Sequence, residues 1–218
     1  MARSSSRSRL AVARERMYRD LVLESAEHVI AENGLEATTM QEIAAEAGIS
    51  LRTLYAAFAS KEELVAEVAR LRGEGIASRI AEAMDAAPDD PLARLEGGVR
   101  GYVGFLLAHP SFLRIHLREG RAWGPEPKRE REDWRLDLGR FAALLGRGME
   151  QGLFHAGDPA FLALLGAAVM QLHVANAALA APEDADALAD AILLQLHRLF
   201  CKPGVGRNVA SGGSAPAP

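Results

Sequence analysis

Residues 160–181 form a run of 22 without one charged side chain, and no other feature limits the fold as much. By length alone a helix there reaches across a bilayer; otherwise it must be buried on both sides in a soluble protein. Gln171, His173 and Asn176 interrupt the run, while Asp158, Glu183 and Asp184 flank it with no Lys or Arg close by. A membrane span carries basic flanks and few amides at mid-depth, so the charge positions favour the soluble reading and no membrane. The remaining chain agrees with an all-α body. Its 41 Ala and 29 Leu stand against 21 Val, Ile and Thr, too few β-branched residues for a sizeable sheet.

Glycines, prolines and capping residues divide the chain into helices. Met17, Leu21, Ala26, Val29 and Ile30 recur at three- and four-residue spacing and predict a first helix over 14–32 with one apolar face, closed by Asn33-Gly34. Thr38-Thr39 opens a short second helix through Ala47, with Thr38 as N-cap and Glu42 near the capping-box position for Thr39. Ser50 caps a third over 51–58, and Ser60 with Glu63 starts a fourth that reaches 84. The Pro- and Asp-rich stretch 85–91 reads as a linker. Beyond it, Pro110, Gly124-Pro125, Gly157-Asp158-Pro159 and Pro182 separate helices expected near 91–108, 110–119, 127–152, 158–181 and 183–201. Residues 1–13 hold Arg3, Arg7 and Arg9 without an acid or an apolar leader core and read as a flexible basic arm; 202–218, rich in Pro, Gly and Ser, reads as a disordered tail. A single cysteine, Cys201, excludes an internal disulfide and suits a reducing cytoplasm.

The segment 39–55 carries the chemistry. Two short helices joined at Gly48, with Ala44 and Ala47 where they cross, describe a helix-turn-helix. Gly48 can take the positive φ of a tight turn, and Ile43, Ile49 and Leu54 hold the pair onto the first helix. The outer face of the second helix then presents Leu51, Arg52 and Tyr55, with Ser50 and Thr53 near its start. Such a helix fits a major groove, where Arg reads guanine through paired hydrogen bonds and hydroxyls meet phosphate oxygens.

These residues resemble the tetracycline-repressor (TetR/AcrR) family of bacterial regulators over about 14–70. The likeness runs through Ala31-Glu32-Asn33-Gly34-Leu35-Glu36-Ala37-Thr38-Thr39, Ile43-Ala44, Ala47-Gly48-Ile49-Ser50, Thr53-Leu54-Tyr55, Phe58 and Ser60-Lys61-Glu62-Glu63-Leu64. The resemblance implies a three-helix helix-turn-helix DNA-binding domain (14–72) followed by a helical ligand-binding and dimerisation domain (73–201). It implies DNA contacts at Ser50, Arg52, Thr53, Tyr55 and Lys61, with Thr39 reaching a phosphate and Lys61 matching the family's phosphate-binding lysine. Ala56-Ala57 and Leu51-Arg52 depart from the usual pattern, which shifts sequence readout toward Arg52 and the basic arm.

Charge is distributed accordingly. Residues 1–72 hold 10 Lys/Arg and 11 Asp/Glu, yet the first 20 alone hold 6 Arg against 2 acids, so the expected DNA surface is a patch rather than a basic domain. Residues 73–201 hold 13 Lys/Arg and 18 Asp/Glu, which disfavours DNA binding there. In that region Gly97, Gly101 and Gly104 make a small-residue helix face suited to close packing. Tyr102, Phe105, His116, Trp123, Trp134, Met170, His173 and Asn176 are the candidate effector contacts, with Phe112 and Phe141 beside them. His173 and Asn176 stand out because polar groups in an apolar helix need partners. In the family the last two helices, here about 158–201, pair across a two-fold axis. Leu188, Ile192, Gln195, Leu196 and Leu199 offer an apolar stripe, and Gly166, Ala167 and Ala177 permit close contact.

The expectation is therefore a cytoplasmic, homodimeric repressor released from a palindromic double-stranded operator by a small-molecule effector. No cofactor, metal or catalytic residue is expected. The alternative is the same fold controlled by a protein partner instead of a small molecule. An enzyme is disfavoured: no H-x-x-x-H, cysteine pair or nucleophile elbow occurs, and the acidic run 130–133 reads as a solvated helix face.

Overall fold

The computed structural model of the chain describes the backbone of residues 2–118, 130–180 and 184–205, with side chains for 17–115, 117–118, 138–177 and 184–205. Among the described residues are α1 (Ala2–Asn33), α2 (Met40–Glu46), α3 (Leu51–Ala57), α4 (Lys61–Ala86), α5 (Pro91–Ala108), α6 (Pro110–Arg118), α7 (Glu130–Glu150), α8 (Pro159–Ala180) and α9 (Ala185–Phe200). The extended structure found among them is one antiparallel bridge between Phe154 and Cys201. Two compact units result: Met1–Gly73 with Pro110–Arg121, and Glu74–His109 with Ala122–Pro218. The division falls at Gly73 inside α4, not in the stretch 85–91, where α4 runs on to Ala86.

The first unit closes over one core. Val22, Leu23, Ala26 and Val29 of α1 meet Met40, Ile43 and Ala44 of α2, Leu54 of α3, Phe58, and Leu64 and Val68 of α4. The inner face of α1 is not the one expected throughout. Ala26, Val29 and Ile30 are buried, but Met17 and Leu21 stand 65% and 41% exposed, and Val22 and Leu23 take the core positions. The helix also begins at Ala2 rather than near Arg14, because no Gly or Pro interrupts 2–13. That corrects the separate arm over 1–13; the side chains of Arg3, Arg7 and Arg9 lie outside the described residues.

A second correction concerns 110–118, expected within the second domain. α6 packs on α1 in the first unit: Arg114 pairs with the Glu32 carboxylate, and Arg118 donates to the Glu32 and Asn33 carbonyls at 2.9 and 3.3 Å. Two arginines four residues apart share one helix face, so both reach the carboxyl end of α1, where cations are favoured.

In the second unit α5, α7, α8 and α9 bury Leu95, Val99, Val103, Leu106, Leu144, Leu145, Ala163, Val174, Ile192, Leu193, Leu196 and Phe200. Glycines set the closest approaches. A Cβ on Gly97 would lie 2.6 Å from the Ala83 carbonyl oxygen, and one on Gly101 2.9 Å from that of Arg79. Gly104, the third residue of the same stripe, meets nothing within 4 Å. The α9 residues Leu188, Ile192 and Leu196 are used inside the subunit, as is Gly166, whose missing Cβ makes room for the Phe141 and Phe200 rings. Past α9, the Lys202 amide donates to the Leu153 carbonyl at 3.0 Å and 202–205 turn back, which corrects the start of the tail; 206–218 lie outside the described residues.

α8 is the helix made by the uncharged run. The window Pro159–Ala177 has a mean hydropathy of 1.6 and passes the length and composition test for a membrane span, yet only 17% of it is buried inside the chain. Ala163, Gly166 and Val174 face inward; Phe161, Leu164 and Leu172 face outward. Burial on both sides is thus not achieved within one subunit.

Candidate nucleic-acid interface

The helix-turn-helix is fixed by backbone rules at each corner. α1 ends at Gly34, whose amide donates back to the Ile30 carbonyl at 2.8 Å and whose φ of +86° turns the chain out of the helix. α2 ends in a paired C-terminal lock: the Ile49 amide donates to the Ala44 carbonyl at 3.0 Å and that of Gly48 to Ala45 at 3.1 Å. Gly48 has φ +65° and open space where a Cβ would sit, so glycine serves the turn's conformation there and not its packing. Ala44 and Ala47 are buried at the crossing, and Ile43 and Leu54 are fully enclosed, as their pattern predicts.

Capping corrects one residue. Thr39, not Thr38, is the N-cap of α2. Its hydroxyl accepts from the Glu42 amide at 3.3 Å and donates to the Glu42 carboxylate at 2.9 Å, while that carboxylate accepts from the Thr39 amide at 2.8 Å. Thr38 is buried and its hydroxyl donates to the Gly34 carbonyl at 2.7 Å. The exposed N-cap of α3 is Ser50, which accepts from the Thr53 amide at 3.1 Å and shares a 2.7 Å hydrogen bond with the Thr53 hydroxyl.

Of the expected DNA-facing residues, α3 brings Arg52, Thr53 and Tyr55 to one exposed surface, with Ser50 and Thr39 exposed beside it. Tyr55 is 50% exposed, and Arg52 has no charged or hydrogen-bonded partner among the described residues. Leu51 differs: it is half-buried and packs on the core of the first unit. Lys61 differs more. Its ammonium donates to the carbonyls of Leu35, Glu36 and Thr38 at 3.0, 3.3 and 3.0 Å, so its three N–H groups are all engaged by the α1–α2 loop. Arg118, which no sequence signal marked, donates to the Glu32 and Asn33 carbonyls where that loop begins.

Nearby, Arg19 lies 4.7 Å from the Phe58 ring centre and donates to Glu67 at 2.8 Å. Arg70 grips the same carboxylate through two 2.8 Å bonds. The Arg70 hydrogen bonds first, and Arg19 second, hold the Glu67 carboxyl down to about 2. This pairs α1 with α4 behind the exposed α3 face.

The effector candidates are scattered over the second unit and beyond. Phe105 is buried and its ring stacks on His109 with centroids 4.2 Å apart, while His109 Nδ1 lies 2.8 Å from the Phe105 carbonyl. His109 was missed, although Pro110 forces the helix to end just there and lets its ring fold back. Tyr102, on the same helix, has its hydroxyl pushed well above the ordinary range by burial. Met170 and His173 are half-buried on the inner side of α8. Asn176 differs from the expected inward position: it is exposed on the outward side of α8, four residues after Leu172. His116 lies on α6 in the first unit with its side chain outside the described residues, as are the Trp134 side chain on α7 and the whole of Trp123. Cys201 is buried, and burial followed by Glu96 pushes its thiol up to about 11, so it stays protonated at neutral pH.

Comparison with known proteins agrees with this geometry. The model of the family described as bacterial regulatory proteins, tetR family, matches residues 22–68. The chain is similar to the HTH-type transcriptional repressor KstR2 of Mycobacterium tuberculosis, 32% identical over 142 residues that cover 61% of this chain and 67% of that protein. The structure of KstR2, described as a ketosteroid transcriptional regulator, superposes with a TM-score of 0.69 at 25% identity over 84% of this chain and 95% of that one. The transcriptional regulator FadR of Bacillus subtilis in complex with stearoyl-CoA shares the fold, with a TM-score of 0.69 at 20% identity over 81% and 96% of the two chains.

Proposed function

The chain belongs to the tetR family of bacterial regulatory proteins, and on that premise we propose a homodimeric repressor that leaves a palindromic operator when a small molecule binds its second unit. Its activity as a DNA-binding transcriptional regulator rests on α3. Arg52, Thr53 and Tyr55 form one exposed surface on a short helix whose start, turn and inner face are all fixed from behind. A helix held in this way, with a guanidinium unpaired among the described residues, suits a major groove, where Arg pairs with guanine. Ser50 and Thr39, exposed at its flank, are the proposed phosphate contacts.

The dimer is assigned to the outward faces of α8 and α9. Phe161, Leu164 and Leu172 are 62%, 46% and 61% exposed, and Leu194 on α9 is 47% exposed. At 100° per residue, 161, 164, 168 and 172 fall on one stripe of α8, and 187, 191 and 194 on one stripe of α9. Exposed apolar stripes of this kind mark an interface. A second copy covers them better than lipid does, because Asp158 and Asp184 stand at the ends and no Lys or Arg anchors a span. Two-fold symmetry then matches a palindromic operator.

The effector is assigned to the second unit, around Phe105, Tyr102, Met170 and His173. These residue types favour a largely apolar ligand with one or two polar groups. The ketosteroid regulator among the relatives supports a steroid-class metabolite, and the stearoyl-CoA held by the FadR neighbour a fatty-acyl one. A DNA partner supports a cytoplasmic location.

The test is selection of duplexes from a random library by the full chain, followed by titration at several salt concentrations. Recovery of a palindromic, salt-sensitive site is expected, with release by a steroid, a fatty acid or one of their coenzyme A esters. Recovery of no preferred sequence overturns the DNA-binding reading; a recovered site that none of these ligands releases overturns the effector class.

A further inference from the structure

We propose that Lys61 is a positioning residue for DNA recognition, which holds the α1–α2 loop and the first turn of α2 in place instead of contacting a phosphate. The proposal rests on the DNA-binding reading above. It starts from an accounting of the backbone carbonyls between the two helices, each of which needs a donor or solvent. Those of Glu32 and Asn33 accept from Arg118. That of Gly34 accepts from both the amide and the hydroxyl of Thr38. Those of Leu35, Glu36 and Thr38 accept from the Lys61 ammonium.

The Thr38 carbonyl matters most. It belongs to the peptide unit that also carries the Thr39 amide, and that amide donates to Glu42 at 2.8 Å. One peptide plane is therefore gripped at its oxygen by Lys61 and at its nitrogen by the capping box. A peptide is planar, so both grips together fix where α2 begins and where Thr39 points. α3 follows α2 through the locked turn at Gly48, and its pose is set by the same contacts. Lys61 sits at the first position of α4, directly after Ser60, whose hydroxyl accepts from the Glu63 amide at 3.2 Å. Its backbone is thus anchored independently of the loop it holds. An ammonium has three N–H groups, and three carbonyls take them, which leaves none for a phosphate oxygen unless the clamp opens.

The two roles separate in a salt titration. A lysine that neutralises a phosphate contributes about 0.9 to the slope of log affinity against log salt. A positioning lysine contributes nothing to the slope but lowers the preference for operator over random duplex. Full-length Lys61→Met and Lys61→Gln are compared with the unaltered chain on the duplex that chain selects from a random library, at temperatures well below unfolding. The expected result is an operator affinity lower by about tenfold, with the salt slope and the affinity for random duplex unchanged. Amide hydrogen exchange in the free protein is expected to quicken at Thr39 and Glu42. Lys61→Arg keeps the charge, but its planar fork cannot address three converging carbonyls, so it should behave like Lys61→Met and not like the unaltered chain. A slope shallower by about one unit identifies a phosphate contact and overturns the proposal. Unchanged operator preference overturns it too, as does unchanged exchange at Thr39. If the unaltered chain selects no duplex, the DNA-binding reading fails instead, and the exchange measurement alone decides whether Lys61 is a clamp.

Discussion

On the proposed reading Arg52 carries the sequence selectivity, because it is the exposed cation on α3 and has no partner among the described residues to give up on binding. Arg52→Ala should weaken operator binding by about 1–3 kcal/mol and relax the preferred base at one position of each half-site. Thermal stability should stay unchanged, since the side chain is exposed and has no charged or hydrogen-bonded partner among the described residues. Fluorescence anisotropy with the selected duplex and its single-base variants, beside a melting curve, reads both; an unaltered affinity removes Arg52 from the contact surface. How far single residues could be read in advance depended on the kind of signal. Ser50, Gly48, Ala44 and Leu54 follow from backbone geometry and pattern. Thr38 and Thr39 do not: two adjacent threonines both suit an N-cap, and only the fold shows that Thr38 is needed inside to bind the Gly34 carbonyl. Lys61 is a similar case, because a lysine's partner lies too far along the chain for spacing to reveal it.

At the scale of elements, glycine placement in α5 separates two opposing effects. Alanine is the better helix former by about 0.8–1 kcal/mol, while overpacking costs about 1–3 kcal/mol. At Gly97 a Cβ meets the Ala83 backbone oxygen at 2.6 Å, which cannot swing aside, so Gly97→Ala should destabilise the protein. At Gly104 nothing lies within 4 Å and Gly104→Ala should stabilise it, by up to about 1 kcal/mol. Urea unfolding of both variants tests the contrast, and an equal sign for the two would refute it. The tie between α1 and α4 has its own signature. Glu67 falls from the ordinary carboxyl value of 4.5 to about 2 in the fold, chiefly through Arg70 and then Arg19. A depressed carboxyl stabilises the fold above its unfolded value and stops doing so as pH drops through the folded one. The stability gap between the unaltered protein and Glu67→Gln should therefore be full above pH 5 and shrink steadily toward pH 2–3. A gap independent of pH would show that the ion pairs contribute nothing. Helices themselves were legible because Pro, Gly and capping residues punctuate them, and the expected span of α5, 91–108, is the one observed. What those signals cannot tell is which helix each will pack on, and so α6 was expected in the wrong unit.

For the whole molecule the question returns to the uncharged helix. Charge positions alone argued against a membrane, but not for a particular partner, and Asn176 shows why. A polar residue in an apolar run looks like a buried group in need of a hydrogen bond, whereas here it points outward beside Leu172. The helix meets its own subunit through Ala163, Gly166 and Val174 and leaves Phe161, Leu164 and Leu172 to something else. If that is a second copy, each substitution on the stripe enters the interface twice. Losing one buried leucine costs about 1.5–3 kcal/mol, so Leu172→Glu should weaken dimerisation by roughly twice that, with like charges added across the axis. Sedimentation equilibrium should show a dimer for the unaltered chain and a monomer for Leu172→Glu or Leu194→Glu at micromolar concentration. The two units should still fold, because neither leucine belongs to a core. Operator affinity should fall with the dimer while contacts at a single half-site persist. A Leu172→Glu variant that remains dimeric excludes this face as the interface. A chain that partitions into vesicles and is released by Leu172→Glu would instead make α8 a lipid-facing helix.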